Sequence, residues 1–505
     1  MDNTNKRITK NTLYLTVRMI LLMLISFYTS RVVLEKLGVE DYGIYNVVAS
    51  FAVTFAFFTS ALTNATQRFI TIELGKDDVP NANKVFNQHL IVYGIISAFV
   101  ILVAEVVGTY YINNGLNIPP GRIFAAHWAF HFSIASIIVG LLAIPYEALF
   151  VAHEDMSVYS YVSVWEGVFK LIIVYLLNIS TFDNLILYSF LVFFVCLTCK
   201  AYYVLYSHRK YSECYLKWCY DKKIIKDTFK FVGWSFISAG QISLCDQGIS
   251  IILNAFFGPI ANAARGLTSQ ISGVVFKFIN NLLIAFQPQI VKSYAKQESD
   301  YLSMLFMNSS RFCFFILWLL VCPILFCVDG LMRVWLVEVP RWTCEMVQLN
   351  LIASLFYVLT KPIWTIVVAS GDLKKYTLLT SIISFSSFPL SCIALYIGCD
   401  APSVYMVSIV VDIISLIVQL KLLKQYLAYR TKDYITLVIQ PILILLVVTT
   451  VPSLLIANIN SGTAKDSLIY FIVIFLLVAI SILLVGLTKK EKLLVLNKCI
   501  SILRH

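Results

Sequence analysis

The sequence predicts an all-α integral membrane protein with about fourteen transmembrane helices. Three observations support this fold class: the composition, the length of the apolar runs and an internal repeat. Of the 505 residues, 59% are hydrophobic and only 13% are charged, and the mean hydropathy is +0.82. Soluble domains are about half apolar and about a quarter charged. The composition therefore excludes an ordinary soluble protein.

The apolar runs are long enough to cross a bilayer, which takes about 20 residues of helix. Fourteen such runs lie near 12–34, 43–65, 86–112, 123–150, 157–178, 184–206, 229–256, 262–289, 304–327, 344–369, 376–397, 402–422, 434–457 and 466–487. The polar, basic start resembles the front of a signal peptide. Because a full-length span follows it without a small-residue cleavage site, we interpret it as part of a retained first span.

The distribution of Lys and Arg predicts the orientation. Loops on the side of the N-terminus carry 26 of these residues, whereas the opposite side carries six. Both termini are therefore predicted to be cytoplasmic, and the formal charge of +11 is mostly an orientation signal. No basic block with interleaved aromatics lies on a soluble domain, so no nucleic-acid partner is predicted.

An internal repeat relates the two halves of the chain. A shift of 220 residues places "LGVEDYGIYN" (37–46) on "FGPIANAARG" (257–266), with Gly38 on Gly258. A shift of 217 places the P-x6-A-x2-D-x3-Y pattern that starts at Pro145 on the one that starts at Pro362. Gly38 is also suited to a left-handed helix cap in the first external turn.

The repeat predicts two parallel six-helix lobes. Six spans separate the matched segments, so both halves point the same way through the membrane. Transporters with such repeats bind substrate between the halves. We expect a first lobe at 1–220, a second lobe at 221–430, and two additional helices with a cytoplasmic tail at 431–505.

Two symmetry-related spans carry polar stripes, since residues three, four and seven apart share a helix face. The stripe of the eighth span consists of Gly266, Gln270, Gly273, Lys277, Asn280 and Asn281. The stripe of the second span consists of Asn46, Ser50, Ser60, Asn64 and Arg68. Ionisable residues at membrane depth usually face a cavity or each other. Both stripes are therefore predicted to line a substrate cavity.

Four further charges lie within predicted spans. Lys361 is expected in the same cavity, and Asp246 is the candidate for ion coupling. Arg18 fits either a substrate contact or a side chain that reaches the surface. Lys170 follows Glu166 by four residues, so both a structural ion pair and a substrate contact remain as interpretations of Lys170.

No catalytic or metal site is predicted. His127 and His131 share a helix face without an evident third ligand, and a helix contact or cavity lining explains them better. Cys214, Cys219 and His208 match no zinc spacing well. The external loops are short and carry no acid/base pair or nucleophile, which disfavours a multispanning polymerase or ligase.

Three segments carry a family resemblance: "SRVVLEKLGVEDYGIYNVV" (30–48), "NATQRFITIELGK" (64–76) and "FGPIANAARGL" (257–267). They resemble the Wzx-like O-antigen and capsule flippases of the multidrug/oligosaccharidyl-lipid/polysaccharide exporter superfamily. The resemblance covers nearly the whole chain and implies a MATE-like fold. "LG-x3-YG-x-Y" is fairly specific to this group, and the other motifs are supportive.

The resemblance implies the cargo and its setting. Members move undecaprenyl-pyrophosphate-linked oligosaccharides from the cytoplasmic to the outer leaflet of the bacterial inner membrane by alternating access. The expected partners are this lipid-linked oligosaccharide, the bilayer and other membrane proteins of polysaccharide assembly. No cofactor is expected, and a proton or sodium gradient would drive transport.

A MATE-type exporter of cationic drugs shares the architecture but would need an acidic cavity. The charges within the spans are mildly basic instead. Among these charges, Arg18, Lys170, Lys277 and Lys361 stand against Glu105, Asp246 and Asp412.

Overall fold

A computed structural model describes residues 2–53, 62–63, 66–67, 69–71, 73–74, 78–153, 156–217, 245–370, 372, 374–459, 464–487 and 491–492. Within these ranges the chain is helical and contains no strand. Two compact units, residues 1–263 and 264–505, each hold their own helix contacts.

Unit 1 (residues 1–263) is built from long helices. They are α1 Asp2–Val53, α2 Val79–Val103 continued by a π turn Ala104–Gly108 and Thr109–Asn114, α3 Ile123–Ala152, α4 Met156–Ile179, α5 Asn184–Lys210, α6 (245–257) and the first turn of α7 Pro259–Ala295. The most extensive packing is between α3 and α5, and α1 packs against both α3 and α4.

Unit 2 (residues 264–505) holds most of α7 and the remaining helices. They are α8 Ser299–Trp335, α9 Thr343–Ser370, α10 Lys374–Phe385, α11 Ser387–Tyr396, α12 Ser403–Leu423, α13 (Thr431–Tyr434, a π turn Ile435–Ile439 and Gln440–Ile459) and α14 Ala464–Ser481 with a π turn Ile482–Gly486. Helix α8 packs against both α9 and α14, and α9 also packs against α12.

The described residues include ten helices that are long and apolar enough to cross a membrane. These ten coincide with ten of the fourteen runs predicted from the sequence. The runs at 12–34 and 262–289 fall inside α1 and α7. The runs at 43–65 and 229–256 extend into residues outside the described ranges. The chain is thus an all-α, multi-pass membrane protein.

The local structure repeats where the sequence repeats. Gly38 interrupts α1 at φ 76°, and Gly258, its partner at the 220-residue shift, separates α6 from α7 at φ 73°. Pro145 and Pro362, partners at the 217-residue shift, both lie inside helices, α3 and α9. A positive φ is rare for residues other than glycine. The positive φ expected at Gly38 is therefore present, and Gly258 shares it, but the ψ of 167° at Gly38 is extended and not that of a left-handed helix cap.

We expect Gly38→Ala to destabilise the protein by roughly 1–2 kcal/mol, because a positive φ combined with an extended ψ is a conformation that almost only glycine adopts without strain. An added Cβ at Gly38 meets no atom within 4 Å, so the effect would be purely conformational. Gly94→Ala is the matched control. Gly94 lies inside α2 and also has open space, and alanine favours a helix there by about 0.5–1 kcal/mol. Equal thermal stability of purified Gly38→Ala and wild type would contradict this expectation.

Arg122 ties together three segments at the predicted external end of unit 1. Its Nε donates to Asp41 Oδ1 at 2.7 Å, and its NH1 donates to Asp183 Oδ2 at 2.5 Å. Asp183 also caps α5 through the backbone N–H groups of residues 185 and 186. Next to it, Asn184 Nδ2 donates to the carbonyl of Lys36 at 2.9 Å. One arginine thus holds the turn after Gly38 to the starts of α3 and α5.

The two carboxylates of this cluster should differ in their effect on stability. Burial raises the pKa of Asp41 above its usual 3.8 despite Arg122. Burial also acts on Asp183, but hydrogen bonds from Arg122 and from the start of α5 outweigh it and lower the pKa below 3.8. Ionised Asp183 therefore stabilises the fold above pH 3.8, and this contribution is lost as the pH falls through its lower folded-state pKa.

At pH 7 we expect Asp183→Asn to lower the melting temperature more than Asp41→Asn does. Asparagine remains a good N-cap, so the substitution at Asp183 removes charge while keeping the cap. The difference between Asp183→Asn and wild type should shrink as the pH falls from 3.8 through the lower folded-state pKa of Asp183, because the wild-type carboxyl then becomes protonated too. Thermal unfolding in detergent across this pH range measures both. A larger loss in Asp41→Asn at pH 7 would contradict the assignment.

Two asparagines of α2 hold the segment that leaves α5. Asn83 Nδ2 donates to the carbonyls of Glu213 at 2.6 Å and Tyr215 at 2.7 Å. Asn87 Nδ2 donates to the carbonyl of Tyr215 at 3.0 Å, and its Oδ1 accepts from the N–H of Lys217, also at 3.0 Å. Asn83 and Asn87 are buried, so these bonds replace lost hydration. Residues 213–217 are therefore fixed to the start of α2.

Helices α13 and α14 pack on α8 through polar and small residues. Trp318 Nε1 donates to Thr449 Oγ1 at 2.9 Å. A Cβ added at Gly330 would collide with the side chain of Ser467, which places α8 and α14 in close contact. Small residues and buried hydrogen bonds are common between helices in membranes. The two helices predicted to lie outside the repeat thus belong to unit 2.

Candidate functional site

Helices α7 and α9 meet along a polar and aromatic seam in unit 2. Asn350 Nδ2 donates to Ser272 Oγ at 2.6 Å, and the ring of Phe276 contacts the ring of Tyr357 edge-on at 5.5 Å. The contact positions advance in the same direction along both helices, so α7 and α9 run parallel. We call Ser272, Phe276, Asn350, Tyr357 and Lys361 the α7–α9 seam, and Lys277 directly follows Phe276 on α7.

Two lysines lie on the helices that form the seam, and one of them contacts its aromatic pair. Lys361 Nζ donates to the Tyr357 hydroxyl at 2.7 Å and lies 4.2 Å from the centre of that ring. Lys277 follows Phe276 directly and is exposed. From the helical rise of 1.5 Å per residue, Lys361 lies about one turn beyond the level of Lys277. The helices that bear the two lysines are thus neighbours in unit 2, and a shared substrate cavity stays a prediction.

Neither lysine is neutralised within the described part of unit 2. No carboxylate there lies within 4.0 Å of Lys277 or Lys361. The hydroxyl and ring face of Tyr357 stabilise a cation without cancelling its charge. The seam therefore presents net positive charge beside amide and hydroxyl groups, which suits an anionic, hydroxyl-rich ligand.

Several predicted cavity residues lie partly or wholly outside what the structure describes. Gln270 of α7 is half-buried and has a bonding partner. For five other predicted cavity residues the structure describes no side chain. Those whose side chains lie outside the described residues are Arg18, Asn280 and Asn281, and those that lie outside them altogether are Asn64 and Arg68. Their roles stay predictions.

The described part of the second span shows local hydrogen bonding. Asn46 Nδ2 donates to the Tyr42 carbonyl at 2.7 Å, and Ser50 Oγ donates to the Asn46 carbonyl at 2.7 Å. Both bonds run to the preceding turn of α1, as is usual for polar side chains within helices. Contact between Asn46 and a substrate stays a prediction.

Lys170 lies in a separate cavity of unit 1. The cavity has a volume of about 330 Å³ and lies between α3, α4 and α5. Lys170 Nζ is 2.8 Å from Glu166 Oε1, and Lys200 of α5 contacts Glu147 of α3. The two carboxylates and two ammonium groups balance each other. Of the two interpretations of Lys170, the structure therefore favours the ion pair.

The sequence analysis missed the pair formed by Glu147 and Lys200. Both residues fall within predicted spans, and a charge at membrane depth is itself a signal. Their pairing could not be found from spacing, because they lie on different helices 53 positions apart.

A second missed pair joins α2 and α3. Glu105 Oε1 lies 3.1 Å from His131 Nδ1, and Asn113 Oδ1 lies 2.9 Å from His127 Nε2. Glu105 lies in the π turn Ala104–Gly108, whose extra residue rotates the helix face. The two histidines therefore make helix–helix contacts. The described residues include no group of three His, Cys, Asp or Glu side chains that could hold a metal ion.

Asp246, the predicted coupling residue, lies on α6 and is exposed within the described residues. The side chain of its neighbour Gln247 donates to it at 3.3 Å. Asp246 precedes Gly258 by twelve residues, or about 18 Å along a helix. The role of Asp246 in ion coupling stays a prediction.

Comparison with solved structures identifies the fold. A multidrug resistance MATE family transporter of the MOP superfamily, in an inward-facing conformation, superposes with a TM-score of 0.67 at 12% identity, over 81% of this chain and 97% of that one. The lipid II flippase MurJ gives a TM-score of 0.66 at 13% identity, over 91% and 98%. A MOP superfamily transporter from Pyrococcus furiosus gives 0.57 at 12% identity, over 82% and 94%.

The sequence itself matches no family model and no curated protein. The similarity to the solved structures nevertheless covers most of this chain and nearly all of each of those three. At these identities the similarity shows the fold alone. The chain has the fold of the MATE transporters and of MurJ.

Proposed function

We propose that this protein flips undecaprenyl-pyrophosphate-linked oligosaccharides from the cytoplasmic to the outer leaflet of the bacterial inner membrane, by alternating access, for surface polysaccharide or lipopolysaccharide synthesis. The observation that carries the proposal is the basic character of the α7–α9 seam: Lys361 contacts Tyr357 there, Lys277 is exposed on α7 next to Phe276, and no described carboxylate of unit 2 lies within 4.0 Å of either lysine. The fold shared with a lipid II flippase supports it.

The chemistry of the seam suits both parts of this headgroup. A pyrophosphate is anionic, and a lysine ammonium neutralises it without demanding one fixed geometry. Amide and hydroxyl groups such as Asn350 and Ser272 can exchange hydrogen bonds with sugar hydroxyls during passage. The polyprenyl tail remains soluble in the lipid and needs no polar cavity.

The second candidate is a MATE-type exporter of organic cations. One observation favours it: Glu166 neutralises Lys170, which leaves fewer basic groups than the sequence predicted. The TM-score to a MATE transporter equals that to MurJ within 0.01. A cation substrate would be repelled by Lys277 and Lys361, so we favour the anionic cargo.

Deletion of the gene tests the proposal. The deletion strain should accumulate a lipid-linked oligosaccharide on the cytoplasmic side, and the wild-type gene should restore surface glycan. Mass spectrometry of extracted lipids identifies the intermediate. Unchanged lipid-linked sugars together with increased sensitivity to cationic drugs would favour the exporter instead.

We further propose that Asp246 couples transport to a proton or sodium gradient. Asp246→Asn should then abolish gradient-driven transport in vesicles while leaving protein abundance unchanged, because the amide cannot exchange a proton or hold a cation by charge. Asp400→Asn is the control, since Asp400 is an exposed carboxylate after the end of α11. If Asp246→Asn lowers abundance and leaves transport per molecule intact, Asp246 is only a structural partner.

A further inference from the structure

A second cavity, of about 690 Å³, lies at one end of unit 2. Its walls come from the start of α8, the connection at 424–430 and the start of α13. The volume falls within the range of about 300–1,000 Å³ that is typical of small-molecule sites. The distribution of Lys and Arg predicts this end to be cytoplasmic. The cavity therefore lies where phospholipid headgroups are found.

Four charged side chains line this cavity. Asp300 and Asp433 supply two carboxylates, and Lys424 and Arg430 supply two cations. None of the four has an oppositely charged described residue within 4.0 Å. The cavity thus carries balanced charges that do not neutralise each other directly.

The apolar part of the wall lies one turn deeper on both helices. Met304 follows Asp300 by four residues on α8, and Leu437 follows Asp433 by four residues on α13. Residues four apart share a helix face. Met304 is 49% exposed and Leu437 is 51% exposed. The cavity therefore passes from a charged rim to an apolar wall on the membrane side, as the binding site of an amphiphile would.

We propose that this cavity binds a zwitterionic phospholipid that carries a primary ammonium group, as in phosphatidylethanolamine. The phosphate pairs with Lys424 and Arg430, the ammonium donates to Asp300 and Asp433, and one acyl chain follows the apolar wall. The site is distinct from the α7–α9 seam and independent of the cargo proposed above.

The charges select against other common lipids. An anionic headgroup such as phosphatidylglycerol can donate hydrogen bonds from its hydroxyls but carries no cation, so its negative charge would lie uncompensated beside two carboxylates. A choline headgroup carries a positive charge but no N–H group, so it cannot donate hydrogen bonds to Asp300 or Asp433. Hydrogen bonds to charged groups contribute about 1.5–3 kcal/mol, which corresponds to at least about tenfold in affinity.

The test uses the purified full-length protein in nanodiscs that contain equal amounts of phosphatidylethanolamine, phosphatidylcholine and phosphatidylglycerol. Partial delipidation in detergent, followed by mass spectrometry of the lipids retained, measures the selectivity. We expect phosphatidylethanolamine to be retained about tenfold over each of the other two. Equal retention of all three, or preferential retention of phosphatidylglycerol, would overturn the proposal. Competition by soluble phosphoethanolamine as strong as that by the lipid would overturn the membrane-lipid assignment.

Paired variants separate the two halves of the site. Asp300→Asn with Asp433→Asn should reduce retention of phosphatidylethanolamine to the level of phosphatidylcholine. Lys424→Gln with Arg430→Gln should reduce retention of both lipids. Wild-type selectivity in either double variant would overturn the corresponding contacts.

The matched control changes two nearby lysines that do not line the cavity. Lys421 and Lys432 are exposed and flank the same connection. Lys421→Gln with Lys432→Gln removes the same charge as the basic double variant and should leave selectivity unchanged. A loss equal to that of Lys424→Gln with Arg430→Gln would show a diffuse surface effect and overturn the site. Circular dichroism and gel filtration of each variant establish that it is folded.

Discussion

Lys277→Ala is expected to abolish most glycan export while leaving the protein at normal abundance. The side chain is exposed on α7, so its removal should leave the packing intact. A hydrogen bond to a charged group contributes about 1.5–3 kcal/mol, so binding of the pyrophosphate should weaken by roughly tenfold to a hundredfold. Surface glycan and membrane protein level are measured together in cells that carry the variant as the sole copy.

Two further variants sharpen this test. Lys277→Arg keeps the charge and should retain part of the export, since the ammonium acts as a mobile point charge. Lys296→Ala is the control, because Lys296 lies just beyond the end of the same helix. Normal export by Lys277→Ala at normal abundance would refute the role in headgroup binding and favour the exporter of cations.

Gly43→Ala is expected to give the largest structural defect. A Cβ at Gly43 would lie far closer to the Pro259 carbonyl oxygen than the van der Waals contact distance of the two atoms allows. Both residues belong to unit 1 and lie shortly after the positive-φ glycines Gly38 and Gly258. Backbone cannot move aside as a flexible side chain can, so overpacking should cost roughly 1–3 kcal/mol.

The thermal stability of the purified variant measures this effect, and glycan export in cells shows its consequence. Gly140→Ala is the control, because Gly140 lies inside α3 and an added Cβ there meets no atom within 4 Å. Wild-type stability of Gly43→Ala would show that the two backbone segments do not approach each other so closely.

Composition and apolar runs were sufficient to locate most of the helices, and a sequence shift was sufficient to recognise the internal repeat. The thickness of the bilayer requires about 20 apolar residues in every transmembrane helix. Apolar runs of this length therefore locate the helices without further information. Gly38 and Gly258 were paired by the sequence shift, and both have a positive φ. A positive φ depends on the missing side chain of the glycine itself, so the residue type alone predicts where it can occur. The i, i+4 pair of Glu166 and Lys170 was accessible for the same reason.

Contacts between different helices were decided only by the tertiary structure. The sequence placed Lys277 and Lys361 on polar faces, but only the packing of α7 against α9 brought Phe276 to Tyr357. Likewise, Arg122 bridges Asp41 and Asp183 although 81 and 61 positions separate them. Inside a membrane all helix faces are similarly apolar, so hydrophobicity says little about which faces meet. Contacts between charges on different helices were therefore settled by interhelical packing, whereas the pair within one helix and the positions of the spans were already determined by the sequence.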